Sequence, residues 1–178
     1  MRAALIRSFG PPEVLQVEEV PEPTPQRGEV SVRVRAVRVG GLLDVGTRAG
    51  RNHFARIAFP HILGADFSGE VIAVEDGCGD LAPGDRVAVI PFVSCGECAH
   101  CAAGREYACT APQFVGVDRA GSYAEVCCVP ARVVHRIPDG VSYEDAAAMA
   151  LSGPVAWTQM ALAGLRRSGR TPRSSRRG

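Results

Sequence analysis

Cys95, Cys98, Cys101 and Cys109 fall within fifteen residues in the spacing C-x2-C-x2-C-x7-C. Thiolates are the soft ligands that zinc takes at the corners of a tetrahedron, with Zn–S about 2.3 Å. Two-residue gaps let neighbouring thiolates converge on one ion, and Gly96 and Gly104 permit tight turns between them. Pro91 and Pro112 bracket the segment. The spacing predicts a zinc-holding lobe over residues 91–112, with disulfides and inert core thiols as the competing readings. His100, between Cys98 and Cys101, is a weaker candidate ligand because four thiolates already complete the set. Cys78 in a glycine-rich turn, and Cys127 and Cys128 on a candidate strand, read as unligated thiols.

The remaining polar residues carry less. His53, His61 and His135 are scattered, and no Ser–His–Asp set is recognisable from sequence order. They read as structural or surface residues.

The elements that must hold the cysteines are short strands. Val30, Val32, Val34 and Ala36 alternate with Ser31, Arg33 and Arg35, the period-two pattern of a half-buried strand. Residues 1–7, 15–20, 69–74, 85–90 and 123–129 are further strand candidates. Turn signals separate them at 21–25 (Pro-Glu-Pro-Thr-Pro), 82–85 and 138–140. Many short strands with regular breaks predict a mainly β fold, a barrel or sandwich. At Ser142 the pattern changes. Ser142 is placed to cap a helix over 144–151, with Asp145 at the position of a capping-box acid, where Asp is weaker than Glu. Gly153-Pro154 is expected to interrupt it, and residues 155–165 to open a second apolar helix.

At 178 residues, with 46% hydrophobic, the chain fits one medium domain with extras. No apolar stretch approaches the ~20 residues that span a bilayer, and no export signal is recognised. A reducing cytoplasm is therefore expected, which favours metal-bound over disulfide-bonded cysteine. All twenty basic residues are arginine. Residues 1–165 hold fourteen of them and all nineteen acids, whereas residues 166–178 hold six arginines and no acid. The body is mildly acidic, so a nucleic-acid surface built into the fold is not expected. The arginine-rich tail leaves only a last-ranked reading of nucleic-acid binding, testable by its salt dependence.

Several segments together resemble the medium-chain dehydrogenase/reductase family, which includes zinc alcohol dehydrogenases and quinone reductases. They are Gly64-Ala-Asp-Phe-Ser-Gly-Glu-Val71, Pro83-Gly-Asp-Arg-Val87, the cysteine segment, Gly121-Ser-Tyr-Ala-Glu125, Ile137-Pro-Asp-Gly140 and Pro154-Val-Ala-Trp-Thr158. The resemblance runs from Met1 to about Leu165. It implies a GroES-like β-barrel catalytic domain over residues 1–152, with a structural zinc on Cys95, Cys98, Cys101 and Cys109, and the start of a connecting helix over 153–165. It also implies hydride transfer between NADP or NAD and a small quinone, alkene, carbonyl or alcohol, in a homo-oligomeric parent protein.

Two departures qualify this. The resemblance places a catalytic-zinc cysteine at Gly41, its histidine at Ala65, and a proton-relaying hydroxyl at Leu43. No cysteine follows Cys128 to act as a third ligand. Three protein ligands plus an open position are needed, so a catalytic zinc is not expected. This is closer to the zinc-independent quinone reductases, with the structural lobe kept. Asp44 and Asp66 would then face the cleft as weak candidates for positioning substrate or a proton, and Tyr123 as a cleft or core residue. The second departure is that no G-x-G-x-x-G turn is present, so the nucleotide-binding (Rossmann) domain is expected to be missing and the fragment itself inactive. Residues 166–178 read as a disordered basic tail whose Arg/Ser/Gly/Pro/Thr composition suits an out-of-frame stretch of GC-rich DNA. A frameshift near Arg166 or an assembly error is the expectation, with a true short protein carrying a basic tail as the competing reading. The alternative function is a non-catalytic, zinc-stabilised barrel that binds a partner.

Overall fold

The computed structural model describes residues 1–164. The expected tail, and Leu165 at the end of the expected second helix, lie outside the described residues.

The chain builds two antiparallel sheets and a small lobe. β1 (Arg2–Ile6) lies between β2 (Leu15–Glu19) and β4 (His61–Ile62). A five-stranded sheet runs in the order β10-β6-β5-β3-β9. Its members are β3 (Glu29–Arg38), β5 (Asp66–Val74), β6 (Arg86–Val89), β9 (Val126–Pro130) and β10 (Val134–Arg136). An isolated bridge pairs Ala3 of β1 with Ala124, two residues before β9. The lobe departs between β7 (Phe92–Val93) and β8 (Gln113–Phe114), which pair with each other and so close its neck.

The alternating valines of β3 bury Val30 and Val32 against Phe67, Val71, Val87, Val89 and Val129. Each such side chain contributes about 1.5–3 kcal/mol of transfer free energy. The strand's pairing with β5 slips between Ser31 and Val32 and again between Val34 and Ala36. At Gly69, on β5, an added Cβ would collide with the Arg33 carbonyl, so the two backbones approach as closely as they do only because the residue is glycine.

Among the described residues, four α-helices complete the fold: α1 (Gly46–Arg48), α2 (Ala99–Ala102) inside the lobe, α3 (Tyr143–Met149) and α4 (Ser152–Leu162). Ser142 caps α3 as expected, its Oγ accepting the Asp145 N–H at 3.0 Å. The reciprocal bond differs from a capping box, because Asp145 accepts from the Ser142 hydroxyl at 2.8 Å rather than from its backbone. Gly153-Pro154 does not break the helical run where expected. The break falls at residues 150–151, and Pro154 sits in the first turn of α4, where a missing N–H costs nothing. No described helix is long and apolar enough to cross a membrane.

Candidate metal centre and cleft

The 94–112 lobe brings Cys95, Cys98, Cys101 and Cys109 together. Their sulfurs all lie within 4.8 Å of one another, and they form the one group of three or more potential ligands found among the described residues. Cys98 Sγ and Cys101 Sγ are 3.5 Å apart, and Cys95 Sγ and Cys101 Sγ 3.9 Å. A tetrahedron with Zn–S of about 2.3 Å has edges of about 3.8 Å, so the donor set fits such an ion. The fold holds the sulfurs through backbone amides. Cys95 N–H donates to Cys109 Sγ at 3.2 Å, Cys98 N–H to Cys95 Sγ at 3.4 Å and Cys101 N–H to Cys98 Sγ at 3.5 Å. Backbone N–H groups, first that of Thr110, pull the Cys98 thiol below its ordinary range, and desolvation pushes Cys101 up. Such amide-to-sulfur bonds favour the thiolate form that binds metal. His100 stands outside the sulfur cluster, with its Nδ1 buried and unpartnered among the described residues.

The second candidate region lies where the turn after β3 meets the start of β5. Gly41–Val45 forms one π-helical turn, in which Val45 N–H reaches back to the Gly40 carbonyl at 3.1 Å. Asp44, buried inside it, accepts from Gly40 N–H at 2.6 Å with Oδ2, and from Gly64 and Ala65 N–H at 3.2 and 3.1 Å with Oδ1. Burial raises its pKa and the three amides pull it back. Asp66, 2% exposed, forms an ion pair with half-exposed Arg38; its burial raises the pKa and Arg38 opposes this. A Cβ on Gly40 would stand 3.0 Å from Asp44 Oδ2 and 3.9 Å from Asp66 Oδ2, so the two carboxylates flank this glycine. Asp66 Oδ1, Ser122 Oγ and the Tyr123 hydroxyl are buried without hydrogen-bond partners among the described residues. Burial, then the nearby Asp44 and Asp66, drive the Tyr123 pKa up, so its phenol stays neutral.

A family model for the alcohol dehydrogenase GroES-like domain matches residues 26–139. The chain belongs to this family. It is 37% identical over 142 residues to the starvation-sensing protein RspB of Escherichia coli, covering 80% of this chain and 40% of that relative. It is 34% identical over 167 residues to an alcohol dehydrogenase of Geobacillus stearothermophilus, covering 92% and 48% respectively. Among solved structures, an NAD-dependent alcohol dehydrogenase superposes with TM-score 0.86 at 40% identity, over 94% of this chain and 49% of the other. The chain therefore spans about half the length of the curated relatives it matches.

For the GroES-like domain in hand, the catalytic-metal positions implied by the resemblance do not fit an ion. Gly41 brings no side chain. Ala65, 1% exposed, packs with Leu43 and Val117 in an apolar cluster that Phe114 and Leu151 cover. Asp66 is committed to Arg38. The structure thus places Asp44 and Asp66 side by side, but as a backbone staple and an ion pair.

Sequence reasoning missed the Arg38 partner. The two slips between β3 and β5 cancel, so Arg38 faces Asp66 in the same register in which Val30 faces Val74, a pairing between strands that the pattern of β3 alone does not reveal. Elsewhere His61 is buried, with Nε2 3.2 Å from the Gly116 carbonyl. Cys127 is buried and Cys128 half-buried beside Ser31, consistent with adjacent strand positions pointing to opposite sides.

Proposed function

We propose that Cys95, Cys98, Cys101 and Cys109 hold a structural zinc ion, and that residues 1–152 form the substrate-side barrel of a two-domain NAD(P)-dependent oxidoreductase. Hydride passes between the nicotinamide and a small carbonyl, activated alkene, quinone or alcohol. The single observation that carries this reading is the contrast between the two regions. The lobe keeps a full tetrahedral donor set, whereas the cleft buries Ala65 in an apolar cluster. The names of the relatives, alcohol dehydrogenases and an NAD-dependent one, support the reaction class.

In this reading the nicotinamide supplies the hydride, and the barrel supplies orientation and exclusion of water. Asp44 fixes the backbone of the cleft wall, Asp66 and Arg38 give it a charged floor, and no step runs through a metal at Gly41 or Ala65. Residues 153–165 lead toward the nucleotide-binding half. A reducing cytoplasm suits the free thiolates.

The test is a hybrid enzyme in which residues 1–164 replace the barrel of the Geobacillus stearothermophilus relative. NAD(P)H oxidation is measured with aldehydes, quinones and enones. The 178-residue chain alone is expected to give no turnover and the hybrid to give it. A hybrid that folds and binds nucleotide yet turns over none of these substrates would overturn the reading. A second reading, a partner-binding barrel without catalysis, draws on the exposed apolar residues of α4 and is what such a silent hybrid would favour.

A further inference from the structure

A cavity of about 540 Å³ lies between the cysteine lobe and the segment around residues 54–56. Small-molecule sites have volumes of about 300–1,000 Å³, apolar walls and a few placed polar groups. One wall here is aromatic. The Phe54 and Phe114 rings are 6.1 Å apart at 53°, and Phe92, outside the lining, backs Phe114 edge-on at 5.5 Å and 75°. Phe54 is 52% exposed, so the core does not account for its position. Phe114 also packs against the Leu43, Ala65 and Val117 cluster, which makes this cavity a neighbour of the cleft described above.

The lining also carries two arginines. Arg132 is tethered to the Ser94 carbonyl at 2.7 Å, and Cys95 lines the same cavity. Arg56 is exposed, and its guanidinium makes no hydrogen bond or ion pair among the described residues. Asp118 is the one carboxylate in the lining. It does not pair with either arginine side chain: Oδ1 accepts the Arg56 backbone N–H at 3.0 Å and Oδ2 the Phe114 N–H at 2.8 Å. It therefore fixes the aromatic wall and the base of Arg56 relative to each other, and leaves the Arg56 fork available. An aromatic wall lining the same cavity as an unpaired guanidinium is complementary to an aryl group bearing a carboxylate.

We infer that this cavity takes an arylalkyl carboxylate, with its ring against Phe54 and Phe114 and its carboxylate on Arg56. That this ligand is the substrate rests on the oxidoreductase reading; the binding itself does not.

The test is titration of the zinc-loaded 178-residue chain with 3-phenylpropanoate, 3-phenylpropanol and 3-phenylpropylamine, followed by amide resonance shifts. The carboxylate is expected to bind, to move the resonances of Arg56 and Phe114, and to exceed the amine by about tenfold or more. Arg56→Gln is expected to remove most of the preference for the acid and to leave the alcohol unchanged. Phe54→Ala is expected to weaken acid and alcohol together, by about threefold to tenfold. Both side chains are exposed, so neither change opens the core. Equal binding of acid and amine overturns the inference, as do full acid affinity in Arg56→Gln and shifts confined to another part of the surface. A silent hybrid enzyme with selective binding intact would sink only the substrate assignment. Lost selectivity in an active hybrid would sink only this inference.

Discussion

Asp44 Oδ1 accepts the backbone N–H of Ala65 at 3.1 Å, across twenty-one residues of sequence. With the bonds to Gly40 and Gly64, one buried carboxylate closes the turn after β3 and anchors the approach to β5. The same carboxylate thereby holds Ala65, and Gly40 beside Gly41, at the two backbone positions that the dehydrogenase resemblance assigns to a catalytic metal. The meeting of the turn after β3 with the start of β5 is set by a staple.

Asp44→Asn tests that staple. A carboxamide offers one acceptor oxygen to three converging N–H donors, and its own NH2 must face at least one of them. The expected loss is about 3 kcal/mol, the range for a buried donor left unsatisfied beside a lost charge-assisted bond. It should show as a lower urea midpoint with an unchanged m-value. A midpoint equal to that of the unsubstituted chain would show that the three bonds carry no net stability.

His61 gives the stability a sign with pH. Burial lowers its pKa below the usual 6.5, with the Gly116 carbonyl and Asp118 opposing. Between the folded value and 6.5 the unfolded chain binds more protons, so stability increases with pH there and is lost as pH falls through the window. Asp44 and Asp66 act oppositely. Their raised values mean that stability is fullest below the ordinary carboxylate range and declines as pH rises through the folded values. Comparing the intact chain with His61→Gln separates the contributions. The slope of unfolding free energy between pH 5 and 7 should become less positive in the variant, and identical slopes would contradict the assignment.

The exposed side of α4 predicts self-association. None of the residues of Ser152–Leu162 is buried, and Val155, Met160 and Leu162 are exposed, Leu162 at 79%. Apolar side chains grouped on one helix in this way mark contact surfaces or aggregation sites. Sedimentation velocity should find larger species as concentration rises, and a Met160→Glu/Leu162→Glu double variant should return to the monomer. A single monomeric boundary at every concentration would remove the basis for the partner-binding reading as well.

What was readable in the sequence was what is local. The alternating valines mark β3, and Ser142 marks the cap of α3, because each signal is spent within a few residues of itself. The cysteines are readable for the same reason: three short gaps leave the sulfurs little room to part. Where distant residues combine, the signal is lost. Arg38 meets Asp66 on a partner strand whose register β3 alone does not reveal, and Phe54 meets Phe114 across sixty residues from an irregular segment. The strand expected at Tyr123 begins only at Val126, because the backbone of Ser122 and Tyr123 instead donates to Gly64 and Leu63. The helix break moved from Gly153-Pro154 to residues 150–151 because a first-turn proline is as compatible with starting a helix as with ending one.

Metal removal separates the lobe from the barrel. The lobe has no large apolar core of its own: of the four sulfur-bearing residues Cys101 alone is buried, and Tyr107 stands exposed. Its ordering rests on the sulfurs, on short turns and on the β7–β8 neck. The sulfurs must be deprotonated to hold an ion and find no other common partner, so folding of the lobe and metal binding are coupled. The purified chain should contain one zinc ion, and Cys101→Ser should lose most of it. Chelation should abolish amide-exchange protection over residues 95–110, while β3, β5 and β9 keep theirs, because Val30, Phe67, Val71 and Val129 pack without any contribution from the lobe cysteines. Loss of protection in β3 and β5 on the same time course as the lobe would mean that the ion organises the whole domain.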